Sequence, residues 1–413
     1  MGETQTQIPL ITATRTHSER NETASICPSC NRGEMATFHR IASVPVNSCV
    51  LFDSRGEARD FLRGSIALGF CAECGFVSNT AFDPTHTEYS QRYEETQGFS
   101  PTFKVFHEDL ARRLIERHDL HQKEIIEIGC GKGEFLILLC ELGANKGVGF
   151  DPSYIEGRNY SEAKASIRFI QDFYSERYSS FAGDFVCCKM TLEHIHATDK
   201  FLQMTRRSMG DRMDTVVFFM VPDATRILRE CAFEDIYYEH CSYFSPGSVA
   251  RLFRKAGFEI LNLSNEYDGQ YLTIEAKPGD GVKQPPLAAE NDLSILAHYV
   301  ACFQAKYEEK RQFWNRRLHD LRTNKAKVML WGSGSKAVSF LTSTEASSTV
   351  DYVIDVNPHR QGHYMPGTGQ EIVAPEFLRH YQPDAVIVMN RIYCDEIQGS
   401  LQAVGANPEM VAL

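Results

Sequence analysis

The 413 residues hold no long apolar run: the longest, TVVFFMVP at 215–222, is less than half of the roughly 18 residues that a membrane-spanning helix needs. A membrane span is therefore not expected. Positive charge is also short. Lysine and arginine number 43 against 54 acidic residues, a net charge of -11, and no basic stretch is interleaved with aromatics. That excludes a duplex-DNA wrapper and leaves nucleic acid an unfit partner, so small molecules are the expected partners. The first 22 residues lack both a basic start and an apolar segment, so they read as a disordered polar arm and not as a secretory signal. With 43% hydrophobic and 23% charged residues, the composition is that of ordinary soluble domains, and the length suggests about two to three of them.

Cysteine, by contrast, is abundant. Thirteen is an odd number in a large chain, which argues against a disulfide framework and for a reducing compartment, the cytoplasm. Four of them form two Cys-x-x-Cys pairs, Cys27 with Cys30 (CPSC) and Cys71 with Cys74 (CAEC), the second followed by Gly75. Two such knuckles complete a closed tetrahedral site for structural Zn2+, with no position left for chemistry. The gap between the pairs is longer than in a simple ribbon, and a redox pair or unrelated buried thiols are the alternatives.

The centre of the chain alternates strand-like and helix-like stretches. Strands are expected at 124–128, 146–151, 167–171, 184–190 and 215–222, with a helix at 134–142. A further helix opens at Ser245-Pro246 and runs over 246–256, and closing strands follow at 258–263 and 271–276. This alternation implies an α/β fold with a mostly parallel, doubly wound sheet. Between the first strand and its helix lies EIGCGKG, 127–133, whose glycines let a ligand approach the backbone. The spacing is G-x-G-x-G, unlike the dinucleotide fingerprint. Asp151 at the end of the next strand can accept both hydroxyls of a ribose, and Asp172 after the third strand can accept from an adenine amino group.

These segments, EIIEIGCGKGEFL, VGFDPS, QDF and DFVCCKMTLEHI, resemble motifs one to four of class I S-adenosylmethionine (SAM)-dependent methyltransferases. The resemblance implies that Glu127, Gly129, Cys130 and Gly131 hold the methionine part of SAM, Asp151 with Pro152 the ribose, and Asp172 with Phe173 the adenine. Met190 and Glu193 fall where the fourth motif lines the cofactor site. A four-cysteine unit, a SAM core and a C-terminal nucleotide-fold domain in that order are similar to the C-methyltransferases of deoxysugar biosynthesis, which methylate a carbon beside the 4-keto group of a nucleotide-linked sugar. The likeness includes the tyrosine-rich stretch at 89–99 and YEHCSYFSP at 238–246. Gln270 and Tyr271 depart from it, standing where small residues would face the substrate. An O- or N-methyltransferase acting on another small metabolite is the alternative.

Between the strand ending near Pro222 and the helix at Pro246 lie more residues than the about 2–6 usual for such a loop, beyond the carboxyl ends of the strands where ligands bind. The loop gathers Glu234, Asp235, Tyr237, Tyr238, Glu239 and His240. A carbon acceptor needs a proton removed next to a carbonyl, and His or Tyr with a carboxylate partner supplies that base. If the segment is extended, Tyr238 and His240 point the same way and Glu239 the other. His240 is then the expected base, Tyr238 its partner or a donor to the enolate, and Glu239 its orienter. A lid that merely packs its aromatics is the plain alternative. His107, His194 and His196 are read as packing residues.

A Gly/Pro-rich linker at 278–289 leads to a long helix at 291–322 with Tyr299, Phe303, Tyr307, Phe313 and Trp314 as a packing stripe. The last ninety or so residues repeat the α/β logic. Gly332, Gly334 and Ala337 fit G-x-G-x-x-A, with Asp355 at the end of the next strand. Alone this suggests NAD; beside the resemblance it suggests a Rossmann-like domain that faces substrate, with Lys336 and His359 toward an anionic group. The expected units are an arm at 1–22, a zinc-binding domain at 23–100, the SAM domain at 101–280, linker and helix at 281–322, and the Rossmann-like domain at 323–413.

Overall fold

The computed structural model describes residues 25–413 except 160, 162, 164, 165 and 283; the polar arm expected at 1–22 lies outside the described residues. The first unit is antiparallel: β1 (Met35–Pro45), the short α1 (Arg55–Arg59), β2 (Arg63–Cys71) and β3 (Val77–Asn79). Cys71 ends β2, and Gly75 at φ 75 bends the second cysteine knuckle through a left-handed conformation that suits glycine.

Next comes α2 (Pro101–His118), capped by the Ser100 hydroxyl, which accepts from Phe103 N. A seven-stranded sheet follows from β4 (Glu124–Ile128), α3 (Glu134–Gly143), β5 (Lys146–Phe150), β6 (Ile167–Ile170), β7 (Phe185–Lys189), α4 (Thr198–Ser208) and β8 (Val216–Pro222). The chain continues as α5 (Ala224–Glu230), β9 (Ser242–Tyr243), α6 (Pro246–Lys255), β10 (Phe258–Glu266) and β11 (Tyr271–Pro278). Strand order is β10-β11-β8-β7-β4-β5-β6, parallel through β8 to β6 and antiparallel at β11 and β10. The order reverses between β4 and β7, which opens a crevice at their carboxyl ends. Ser245 and Ser248 form a capping box at the start of α6, with Pro246 in its first turn.

The chain ends in α7 (Leu293–Thr323), β12 (Val328–Trp331), α8 (Ser335–Ser343), β13 (Val350–Ile354), β14 (Glu371–Val373), α9 (Leu378–Tyr381), β15 (Ala385–Val388), α10 (Cys394–Val404) and β16 (Glu409–Ala412). Its sheet, β14-β13-β12-β15-β16, is parallel throughout. The protein is thus α/β, with two doubly wound sheets and a small antiparallel one.

The units share their cores. The loop after β8 is not bare: it holds α5 and sends β9 to pair with β3, Val77 opposite Tyr243, so the central chain completes the N-terminal sheet. The four cysteines lie in one apolar cluster with Phe244 and Phe253. Phe303, Tyr307 and Trp314 of α7 join Leu68 of β2 to Phe340 of α8. Phe313, expected in that stripe, is instead half exposed, because consecutive Phe313 and Trp314 cannot share one helix face.

Candidate active site

After β4 the chain folds back over the strand ends in a turn that glycine alone suits. Gly129 and Gly131 have φ of 69 and 54; a Cβ would strike the Thr191 side chain at the first and the Glu95 carboxylate at the second. Asp151, the first residue past β5, accepts from Gly131 N at 2.9 Å and from Ser153 N at 2.7 Å. A cavity of about 400 Å³ opens here, lined by Gly129, Cys130, Gly131, Asp151, Pro152, Phe173 and Met190. Glycine turn, helix N-terminus and strand-end acid together suit a nucleoside with an amino-acid tail.

Two expected contacts lie elsewhere. Glu127 sits beneath the turn, fully buried 3.5 Å from Lys189 Nζ, and burial pushes its carboxyl up to about 7. Asp172 is taken by Arg177 and Tyr178, because the short turn Glu176–Tyr178 folds back onto it. Phe173 keeps its side chain on the cavity rim, 60% exposed.

A second cavity of about 220 Å³ adjoins the first, and Glu95, Thr96, Gln97 and Met190 border both. Met190, expected at the cofactor, takes φ 49 directly after β7 and so stands between the two spaces. The far wall comes from the last sheet: Gly332, Gly334, Ser335, Lys336 and Ala337 of its glycine turn and the helix it opens, with Asp355 just past the end of β13, all line this cavity. Gln270 and Tyr271 face it too, and Gln270 is bonded both ways to Asn390. Burial would raise the Asp235 carboxyl, yet Lys336 and Arg226, both ion-paired to it, hold it below the usual range. His359 is exposed and packs on Phe99, so it does not share Lys336's position.

The loop from Phe233 to His240 turns at 238–239 and is not extended, which changes its pairing. Tyr237, not Tyr238, meets His240: its Oη is 2.9 Å from His240 Nε2, with ring centroids 4.0 Å apart. Tyr238 points the other way, over Gly64, its hydroxyl accepting from Asp83 N at 2.9 Å. Glu239 does not touch the imidazole. It accepts from Asn47 Nδ2 at 2.7 Å, Ser48 N at 3.2 Å and Tyr93 Oη at 3.3 Å, and so anchors the loop to the N-terminal unit. His240 is buried one layer behind Tyr237, which lines the second cavity. Burial, with His194 and Lys336 nearby, holds His240 well below the ordinary histidine range.

Three residues here were not read as site residues from the sequence. Tyr89 and His194 line the first cavity, 2.9 Å apart, and the His194 ring stands 4.7 Å from that of His240. His107 is buried against Phe103 and Phe135, as packing requires, and also borders that cavity. A tyrosine three residues before a histidine becomes its partner only once a turn is known to lie between them.

The four knuckle cysteines converge. Sγ atoms of Cys27 and Cys74, and of Cys30 and Cys71, lie 3.7 Å apart, and all four lie within 4.8 Å of one another. About 3.8 Å is the edge of a tetrahedron with Zn–S near 2.3 Å, so the set fits one zinc ion. Arg251 donates to Cys74 O at 2.8 Å and Lys255 to Ser29 O at 3.0 Å, docking both knuckles on α6. Among the described residues no helix is long and apolar enough to cross a membrane.

Residues 102–263 match a family described as a methyltransferase domain, and 276–409 one described as the C-methyltransferase C-terminal domain. The C-methyltransferase NovU of Streptomyces niveus is 23% identical over 193 residues, 45% of this chain and 46% of the relative, so the match spans about half the length of that protein. Among solved structures, magnesium protoporphyrin IX methyltransferase from Synechocystis PCC 6803 with bound S-adenosylhomocysteine is 15% identical, with a TM-score of 0.34 over 43% of this chain and 84% of its own. The 1,6-didemethyltoxoflavin-N1-methyltransferase of Burkholderia thailandensis is 16% identical, with a TM-score of 0.32 over 44% of this chain and 82% of its own. The chain thus carries a match to a methyltransferase domain followed by a match to the C-methyltransferase C-terminal domain.

Proposed function

We propose that this protein transfers a methyl group from SAM to a carbon next to a carbonyl of a small molecule, a nucleotide-linked 4-keto sugar being the acceptor class. The observation that carries this reading is the shared wall: a cavity fit for the cofactor and a second cavity meet at Met190 and at Glu95 to Gln97, with Tyr237 and His240 on the acceptor side. Gly129, Cys130, Gly131, Asp151, Pro152 and Phe173 are the residues to hold the cofactor, whose sulfonium supplies an electrophilic methyl. The match to NovU supports a carbon acceptor.

The chain's own residues supply the base. Tyr237 stands at the cavity with its phenol on His240, so a proton leaving the acceptor carbon reaches Tyr237 as the phenol proton passes to His240 Nε2. The enolate carbon then attacks the methyl, and the thioether leaves with the bonding electron pair. Lys336 and Arg226, held by Asp235, are cations to meet an anionic substituent. In this reading the unit at 23–100 holds structural zinc through Cys27, Cys30, Cys71 and Cys74, the unit at 101–280 binds SAM, and that at 323–413 closes the acceptor side.

The test is exchange. With a 4-keto-6-deoxy nucleotide sugar and S-adenosylhomocysteine in deuterated water, the protein should introduce deuterium at the carbon beside the carbonyl, and with SAM it should methylate that carbon. Methyl transfer to oxygen or nitrogen without exchange would overturn the carbon assignment.

A further inference from the structure

Behind Tyr237 and His240 lies a carboxylate that this reaction leaves unused. Glu193 follows β7 in the short turn Leu192–His194 and is 1% exposed; neither of its oxygens has a hydrogen-bond partner among the described residues. His240 Nδ1 is equally without a partner, and Glu193 Oε1 is 4.0 Å from His240 Nε2. Fully buried carboxylates with unmet oxygens are rare in folded proteins and concentrate where charge moves during function.

We infer that Glu193 is a positioning residue for the base: its carboxylate offsets the positive charge that His240 gains when Tyr237 passes on the acceptor's proton. This rests on the proposed carbon methylation. The C–H bond breaks with its electron pair left on the enolate, the proton goes to Tyr237 as the phenol proton goes to His240, and the imidazolium and Glu193 carboxylate form a neutral pair. After methyl transfer the imidazolium loses its proton to solvent.

The surroundings leave this pair in control of the charge. Burial keeps the phenols of Tyr89, Tyr237 and Tyr271 and the thiols of Cys188 and Cys241 uncharged, and holds His194 down to about 4, so it too is neutral. The charged groups facing the pair are Lys189 on β7 and Lys336 on α8, the latter neutralised by Asp235. Burial pushes Glu193 up to about 8, so at neutral pH much of it is protonated and the offsetting charge is absent. Turnover should therefore rise as pH passes through about 8.

The experiment measures kcat and KM from about pH 6 to about pH 10 for the full protein and for Glu193→Gln, with Glu193→Asp as a second variant. The inference predicts that Glu193→Gln loses the rise and falls at least about tenfold at the alkaline plateau, that Glu193→Asp keeps a rise, and that SAM affinity and acceptor KM stay within about threefold. An unchanged pH profile in Glu193→Gln overturns it, as does a loss confined to SAM binding. So does turnover that a chelator abolishes while the zinc of the four cysteines is retained, since Glu193, His194 and His240 would then be holding a metal. If Tyr237→Phe and His240→Ala keep full turnover, the carbon-methylation reading itself fails; if they lose it while Glu193→Gln behaves as the parent, only this inference fails.

Discussion

Tyr237 Oη lies 2.9 Å from His240 Nε2, and it is the phenol, not the imidazole, that lines the acceptor-side cavity. In the proposed reaction the base is then a two-residue device with the tyrosine in front. Tyr237→Phe keeps the ring and removes the proton path, so turnover should drop by roughly 10²–10⁴-fold, with His240→Ala falling into the same range. SAM affinity, read by calorimetry, should stay within about threefold in both. Loss of SAM binding without loss of turnover would contradict the assignment.

Tyr238 and Glu239 should behave differently. Tyr238→Phe removes the bond to Asp83 N and leaves the ring on Gly64, so it should cost about 1 kcal/mol of stability and little activity. Glu239→Ala leaves buried Asn47 and Ser48 without their acceptor, and its loss should appear as a lowered melting temperature before any change in the chemistry.

The glycine turn gives a prediction of another kind. Gly131→Ala forces a Cβ onto φ 54 and into the Glu95 carboxylate, which borders both cavities. About 1–2 kcal/mol of backbone strain at this point should weaken SAM by roughly tenfold or more while the melting temperature of the C-terminal sheet stays put.

Glu127 supplies a pH test of the core. Its carboxyl, raised by burial to about 7, is protonated in the folded chain over a range where the unfolded chain has already ionised. The folded state then binds more protons, so this group's stabilising contribution is full below about pH 4.5 and is lost as pH rises through about 7. Glu127→Gln should show a flatter melting temperature between those limits and gain on the parent at the alkaline end. A parallel shift at every pH would contradict it.

Zinc analysis of protein purified without chelator should give one ion per chain. Cys71→Ser should lose it and destabilise both the N-terminal sheet and α6, because Arg251 and Lys255 dock on the knuckles.

Much of the central sheet was legible, and for a definite reason. Short apolar strands alternating with amphipathic helices fix their own periodicity, and Gly129, Gly131 and Asp151 announce the crevice by residue type alone. The pairing of the loop was not legible. A single turn at 238–239 exchanges Tyr238 for Tyr237 as the partner of His240, and nothing in the order of residues distinguishes a turn from an extended run there. Tyr89 and His194 were hidden because they meet only in three dimensions, across 105 residues of chain. The second glycine turn was legible only in part: alone, G-x-G-x-x-A suggests a dinucleotide, the resemblance suggests a domain that faces substrate, and its residues line a cavity that Met190 also borders.

The most direct measurement is calorimetric titration of the purified protein with SAM, with NAD titrated separately and Asp151→Ala as the control. The account predicts one SAM site per chain, a loss of roughly tenfold or more in affinity when Asp151 is removed, and no heat from NAD. Binding of NAD without SAM, or SAM binding indifferent to Asp151, would contradict it and move the function to the turn from Gly332 to Asp355.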